Sequence, residues 1–207
     1  MNNWGSTALY AVILLCGIVI VSVVAAEIIN DTAGTTTEED LNQMIDETIQ
    51  EYSTYLDIDF KIGKYLDNNG IQKVRKIALQ MSPLYSTDID LTQLTIQLLN
   101  KDNVKLLNFS GVAEYYNGGS LFENINWDNI SDENFGFLVT NDRDGSIVDF
   151  HHFNENSDRA YLIFRLSNDI ALLKYDNLYV SIFPGTGITR TINLKAPMPI
   201  KSVVVFD

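Results

Sequence analysis

Apolar residues fill positions 4–26 with almost no polar break, and only small residues such as Gly5, Ser6, Thr7, Gly17 and Ser22 relieve the run. About 20 apolar residues in a helix span the roughly 30 Å of a bilayer interior. A helix that is apolar on every side is buried on every side, in lipid or in a bundle of its own kind. Small residues recur along it at spacings of three and four (Gly5 and Ala8, Thr7 and Ala11, Ser22 and Ala26), which puts them on common faces and lets helices approach closely. Past Glu27 the apolar positions thin out. Leu41, Met44, Ile45, Ile49, Tyr52, Tyr55 and Leu56 follow a helical period, while Asp40, Asp46, Glu47 and Glu51 occupy other faces. Gly34 and Thr35-Thr36-Thr37 mark a bend or interruption, and Thr37 with Asp40 resembles a capping box from which a helix restarts. The pattern predicts a rod from about Trp4 to Leu56, continuous or kinked.

After Asp57 the period falls to two. Ile58, Phe60 and Ile62 alternate with polar residues, and Val74, Ile77 and Leu79 do so with some slippage. Short strand-like runs follow at 94–99, 104–109, 137–140, 161–166, 178–183, 189–194 and 202–206. Asn68-Asn69-Gly70, Asn117-Gly118-Gly119, Asp144-Gly145 and Pro184-Gly185 read as turns between them. Many short strands without helices between them imply a sandwich or barrel. The expected fold is therefore α+β. A long N-terminal hydrophobic α-helix over 1–57 forms one section, and an all-β immunoglobulin-like sandwich over 58–207 forms the other. No internal repeat or low-complexity tract is evident.

Charge sharpens this division. The chain of 207 residues carries a formal net charge of −13. The first sixty residues hold ten acids and no Lys or Arg, hence −10; the remainder holds 17 acids against 14 bases, hence −3. A negative surface opposes binding to phosphate backbones, so nucleic acid is not an expected partner. Membrane anchors ordinarily carry Lys or Arg on their cytoplasmic flank, and the apolar run has none on either side. A secretory signal peptide needs a basic start and a shorter apolar core. The simplest account is a mature chain from which a short charged leader has been cut. The one cysteine, Cys16, lies within the apolar run and has no partner for a disulfide.

Little in the sequence points to catalysis. His151 and His152 are adjacent and would point to opposite faces of a strand, so a shared metal is not expected. Nucleophile elbows, phosphate loops, dinucleotide fingerprints and paired cysteines are all absent from the sequence. No enzyme activity, cofactor or metal centre is expected. Asn141-Asp142-Arg143-Asp144-Gly145-Ser146 looks like half a calcium loop, but Thr140 and His151 stand where an EF-hand needs acids. Asp142 and Asp144 remain the cation candidates, against the plainer reading of a tight turn. Three Asn-x-Ser/Thr triplets begin at Asn30, Asn108 and Asn129. Asn108 and Asn129 are favoured for glycosylation, since a sugar at Asn30 would obstruct packing of the rod.

The chain resembles the archaellins, the subunits of the archaeal swimming filament. The apolar start with its early Gly5 is similar to their type IV pilin-like helix. Residues 77–83 (Ile-Ala-Leu-Gln-Met-Ser-Pro), Ile89-Asp90-Leu91 and 95–98 (Thr-Ile-Gln-Leu) are similar to a strand, loop, turn and strand of that family. Asp142 to Ser146 with Asn156 to Ala160, then Pro184-Gly185-Thr186-Gly187 and the stretch from Ala196-Pro197 to Val205, resemble its later segments. Leu84-Tyr85-Ser86 departs from the Gly-Ser pair common there. The resemblance implies leader cleavage by a prepilin-type peptidase, assembly at a membrane platform driven by an ATPase, frequent N-glycosylation, and a homopolymer or a filament shared with a paralogous archaellin.

On this reading the rod packs with its siblings through Trp4, Gly5, Ala8, Ala11, Leu15, Gly17, Val21, Ser22 and Ala26. Glu27, the first charge after the apolar run, marks where the helix emerges or accepts a neighbour's terminal amine. The subunit leaves lipid to enter the polymer, so burial of apolar surface is not gained anew. Close packing of small residues and contacts between β domains must drive assembly. Two other readings stay open: an adhesive type IV-like pilus subunit on the same scaffold, and a membrane-anchored β ectodomain carrying a ligand site.

Overall fold

The computed structural model describes residues 54–207 except 69, 87, 102, 124–126, 200 and 207, together with 43–45 and 48 ahead of them. The expected apolar helix lies outside the described residues. The chain divides into two compact units, Met1–Thr48 and Ile49–Asp207. In the first, residues 43–45 and 48 are helical, and the Thr48 hydroxyl donates to the Met44 carbonyl one turn back at 2.7 Å.

The described residues of the second unit form a β structure of eleven strands. They are β1 (Leu56–Asn68), β2 (Ile71–Pro83), β3 (Ile89–Asp90), β4 (Thr95–Asn100), β5 (Asn103–Tyr115), β6 (Asn134–Asn141), β7 (His152–Phe153), β8 (Arg159–Arg165), β9 (Asn177–Phe183), β10 (Arg190–Lys195) and β11 (Val203–Val205). Nine of them make one continuous sheet in the order β10-β9-β4-β5-β6-β8-β2-β1-β11, and β3 pairs with β7 separately. Every pairing is antiparallel except β5 with β6. The sheet curls so that its two ends meet: the Tyr65 hydroxyl of β1 donates at 2.6 Å to the Pro197 carbonyl just past β10, and the Arg190 guanidinium of β10 lies 5.2 Å from the centre of the Tyr55 ring. The expected sandwich is thus present in the form of one sheet folded over its own interior.

Alternation explains which face is inside. In β4, Ile96 and Leu98 are fully buried, with Thr95, Gln97 and Leu99 on the other face. Leu107, Leu162, Phe164, Val180, Ile182 and Leu194 extend the same interior across β5, β8, β9 and β10. Its centre is aromatic. Phe109, Phe135 and Phe137 lie with ring centroids 5.7–5.8 Å apart, and Phe153 of β7 closes on Phe137 at 6.3 Å. The slippage read in the early strands has a physical cause: register shifts interrupt β1–β2 between Ile58 and Phe60 and between Lys64 and Tyr65. Gly63 is required where it stands, because a Cβ there would come within 2.8 Å of the Phe206 ring and 2.9 Å of Val74 Cγ1.

The parallel pair β5–β6 needs a crossover, and the chain supplies it over the outer face of the sheet. The described residues of 116–133 run across β2, β6 and β8. Phe122, Trp127 and Ile130 bury Ala78, Leu138 and Ile163, which point away from the main interior. Phe122 and Trp127 stack at 5.6 Å, and Lys76 stands 4.8 Å over the Trp127 ring. The Lys76 ammonium donates to Phe122 O at 3.3 Å and Arg165 Nη1 donates to Trp127 O at 3.1 Å. Asn117-Gly118-Gly119, expected as a turn between strands, opens this strap, with both glycines at positive φ (85° and 90°). Gly136 lets the strap lie flat, since a Cβ there would meet Val112 O at 3.0 Å and Ile130 Cδ1 at 3.1 Å.

The other half of the outer face carries no such cover among the described residues. Register aligns Val104, Leu99, Tyr179 and Asn193 in one row across β5, β4, β9 and β10. Leu106, Gln97, Ser181 and Thr191 form the next row, and Asn108, Thr95 and Phe183 a third. None of these eleven side chains is charged.

Candidate functional site

The acids expected to form a tight turn instead organise a longer loop between β6 and β8. Asp142 Oδ2 accepts from the Ile147 and Val148 amides at 3.1 and 3.4 Å, holding the π-helical turn Ser146–Phe150. Asp144 accepts from the Ser146 amide at 3.1 Å and from the Asn154 side-chain amide at 2.7 Å. Gly145 sits at φ 78°, with space for a Cβ closed by Asp149 Oδ2 at 3.0 Å. Asp158 is fully buried, and its Oδ2 accepts from the Asn154 and Glu155 amides at 3.0 Å each. The loop is therefore stitched by three carboxylates acting on backbone N–H groups, an arrangement that satisfies irregular backbone without a sheet ladder.

These environments push the acids apart. The Asn154 amide and then the Ser146 N–H hold the Asp144 carboxyl down to about 2. Burial raises Asp158, and the charges of Asp142 and Asp144 raise it further, against the two backbone donors. Asp142 Oδ1 and Asp158 Oδ1 are buried without a hydrogen-bond partner. Such oxygens are free acceptors of the kind a hard cation takes up. Among the described residues, however, no group of three or more His, Cys, Asp or Glu is placed to hold a metal ion.

The two histidines diverge. His151 turns to φ 64°, packs edge-on to Phe109 with centroids 5.1 Å apart, and donates from Nδ1 to Ile147 O at 3.2 Å. His152 faces away and pairs with Asp88 Oδ1 at 2.5 Å, tying β7 to the loop before β3. Both act on loop structure.

Asn108 is exposed in the middle of β5, on the uncharged outer face. Asn129 is exposed at the end of the short 3-10 turn Trp127–Asn129, on the strap. Asn30 and the expected packing residues Trp4, Gly5, Ala8, Ala11, Leu15, Gly17, Val21, Ser22, Ala26 and Glu27 lie outside the described residues. Sequence reading missed two features. One is Asp158, whose role depends on amides brought to it by the loop. The other is the strap, whose aromatic residues at 122 and 127 have no periodicity to mark them.

The unit thus offers contact surfaces and a self-bonded loop in place of a convergent acid, base and nucleophile. A crystal structure of the archaeal flagellin FlaB1 from Methanocaldococcus jannaschii superposes with a TM-score of 0.63 at 18% identity, covering 73% of this chain and 95% of that one. The archaeal flagellum of Methanospirillum hungatei strain JF1 matches over 100% of both chains, with a TM-score of 0.53 and 13% identity. Flagellin B3 of M. jannaschii is 25% identical over 207 residues, covering 97% of this chain and 94% of that protein. The family model for archaeal-type flagellin matches residues 5–194, which takes in both the apolar run and nearly all of the β unit. The chain belongs to the archaeal-type flagellin family, the structural subunits of the archaellum filament that archaea use to swim.

Proposed function

We propose that the chain polymerises through residues 1–57 as a long hydrophobic helix in the filament core, with the immunoglobulin-like β unit of residues 58–207 outermost. The observation that carries this is the continuity of the family match from residue 5, in the apolar run, to residue 194, in β10. A helix with no polar face has to exchange lipid for another dry environment, and the row of small residues from Gly5 to Ala26 gives its siblings a close approach. Glu27 sets the level at which the helix leaves that environment. Before assembly the subunit waits in the membrane, loses a short leader to a prepilin-type peptidase, and is drawn from lipid by a membrane platform. The finished filament is a homopolymer or is shared with a paralogous archaellin, and it stands outside the cell. Asn108 and Asn129, both exposed, are the glycan acceptors.

The test is a Gly17→Leu variant in the native host. Cells are expected to accumulate the subunit but to lose filaments and swimming, because a bulky side chain holds neighbouring helices apart. Normal filaments from that variant would refute close packing of the helix. An adhesive pilus remains the rival on the same scaffold. It predicts that deleting the chain abolishes attachment and spares swimming.

A further inference from the structure

We propose that the sugar on Asn108 folds back along the open half of the outer face, over β4, β9 and β10, and roofs it as the strap roofs the other half. This rests on the reading of Asn108 as a glycan acceptor and gives its sugar a place on the subunit.

The attachment point is the first argument. Asn108 stands on the face itself, in register with Thr95 of β4, which is in register with Phe183 of β9. On its other side the strap arrives, and the carbonyl of Glu133 accepts the Asn108 backbone amide at 3.2 Å. A sugar chain leaving the Asn108 side chain therefore meets the strap on one side and bare sheet on the other. The acceptor triplet is also open to a transferase. It ends at Ser110, where the β5–β6 register breaks between Phe109 and Ala113, and Gly111 turns to φ 79° with open space about it. Attachment joins Asn108 Nδ2 to the anomeric carbon of an oligosaccharide carried on a lipid phosphate. The phosphate leaves with the electron pair of the broken C–O bond, and the side-chain amide gives up one proton.

The chemistry of the face is the second argument. Val104 and Leu106 are each 58% exposed and Tyr179 is 46% exposed. Gln97, Ser181 and Thr191 set a row of amide and hydroxyl groups among them, with the Ser181 and Thr191 hydroxyls 2.9 Å apart. A neutral sugar carries the matching pair of surfaces: C–H groups that pack on apolar and aromatic side chains, and hydroxyls that both donate and accept. Lys195 is exposed at the corner diagonal to Asn108, beyond the Tyr179–Asn193 row, where it pairs with Asn177. The distance from β5 to β10 is three strand spacings, about 14 Å, which a sugar chain of a few residues covers. The tether makes weak contacts count, because a group held on a short flexible link faces its site at an effective concentration in the millimolar range.

The test uses the full-length chain as the free subunit in detergent. It is purified with its sugar from the native host and without it from a host lacking the oligosaccharide transferase, and both are read by hydroxyl-radical footprinting. Oxidation of Leu106 and Tyr179 is expected to be several-fold higher in the sugar-free subunit. Ser110→Ala, which removes the acceptor triplet and keeps Asn108, is expected to show the same rise. Asn129→Gln, which removes the other sugar, is expected to leave both residues protected. Tyr179 oxidised alike with and without a sugar on Asn108 overturns the roof and leaves the acceptor standing. Tyr179 protected alike in both also overturns the roof, and assigns the face to a protein or detergent occupant. A native subunit whose Asn108 is bare by mass spectrometry overturns both the roof and the acceptor.

Discussion

Single positions in the β unit are held by two opposite devices, close packing at glycine and charge at aspartate. Gly63 shows the first. Its missing Cβ is the space into which the Phe206 ring and Val74 fit, at 2.8 and 2.9 Å from where that atom would be. Gly63→Ala is expected to destabilise the unit by about 1–3 kcal/mol through overpacking, read as a lowered midpoint in denaturant with an unchanged slope. Asp158 shows the second. Asp158→Ala removes the acceptor of two loop amides and is expected to cost about 1–3 kcal/mol, whereas Asp158→Asn keeps one acceptor and loses less. The pH dependence separates the acids. Because the fold lowers Asp144 to about 2, its contribution is present above the ordinary carboxylate range and is lost as pH falls toward that value. Because the fold raises Asp158, its contribution is present at low pH and is lost as pH rises through the raised value. The thermal midpoint of Asp158→Asn, relative to the parent chain, is therefore expected to climb as pH goes from about 4 to about 7. A flat difference would mean that Asp158 does not titrate in that window.

Among the elements, the strap is the one whose removal is most informative. Trp127 is almost fully buried against Lys76 and Phe122, yet the described residues of its segment hold no regular structure apart from one short turn. Trp127→Ala is expected to destabilise the β unit by about 3–5 kcal/mol and to expose Ala78, Leu138 and Ile163, seen as binding of a hydrophobic dye. This element also marks where sequence reading stops. Strands such as β4 and β9 alternate cleanly because one face is interior and the other is not, and their limits were legible to within a residue or two. β6 was read short, as 137–140, because Phe135, Phe137, Leu138 and Val139 are buried on both faces and no longer alternate. That second buried face exists only because the strap covers it, and nothing local in residues 116–133 announces the covering. The acidic loop failed for a related reason. Asp142-Arg143-Asp144-Gly145 has the letters of a hairpin turn, but its carboxylates find backbone amides up to six residues away and the Asn154 side chain ten residues away.

For the subunit as a whole, charge separates the two parts more sharply than any boundary of fold. The first sixty residues carry −10 and the remainder −3. Charge brought together by polymerisation is relieved by salt, so filaments are expected to be most stable at high ionic strength and to shed subunits on dilution into low salt, measured by sedimentation. Insensitivity to salt would argue that the acids of 27–59 are fully matched by bases in the polymer. The topology adds a constraint in time. β2 pairs on one side with β1, its immediate neighbour in sequence, and on the other with β8, some eighty residues later; β6 completes the centre only when both β5 and β8 are present. A ribosome that has released the chain as far as β6 has made the β1–β2 and β4–β5 hairpins and the β5–β6 pair, while the edges of β2 and β6 that β8 joins are still bare. The two groups of strands are joined only when β8 emerges, and a message cut short before residue 165 is expected to yield fragments that chaperones or proteases must clear.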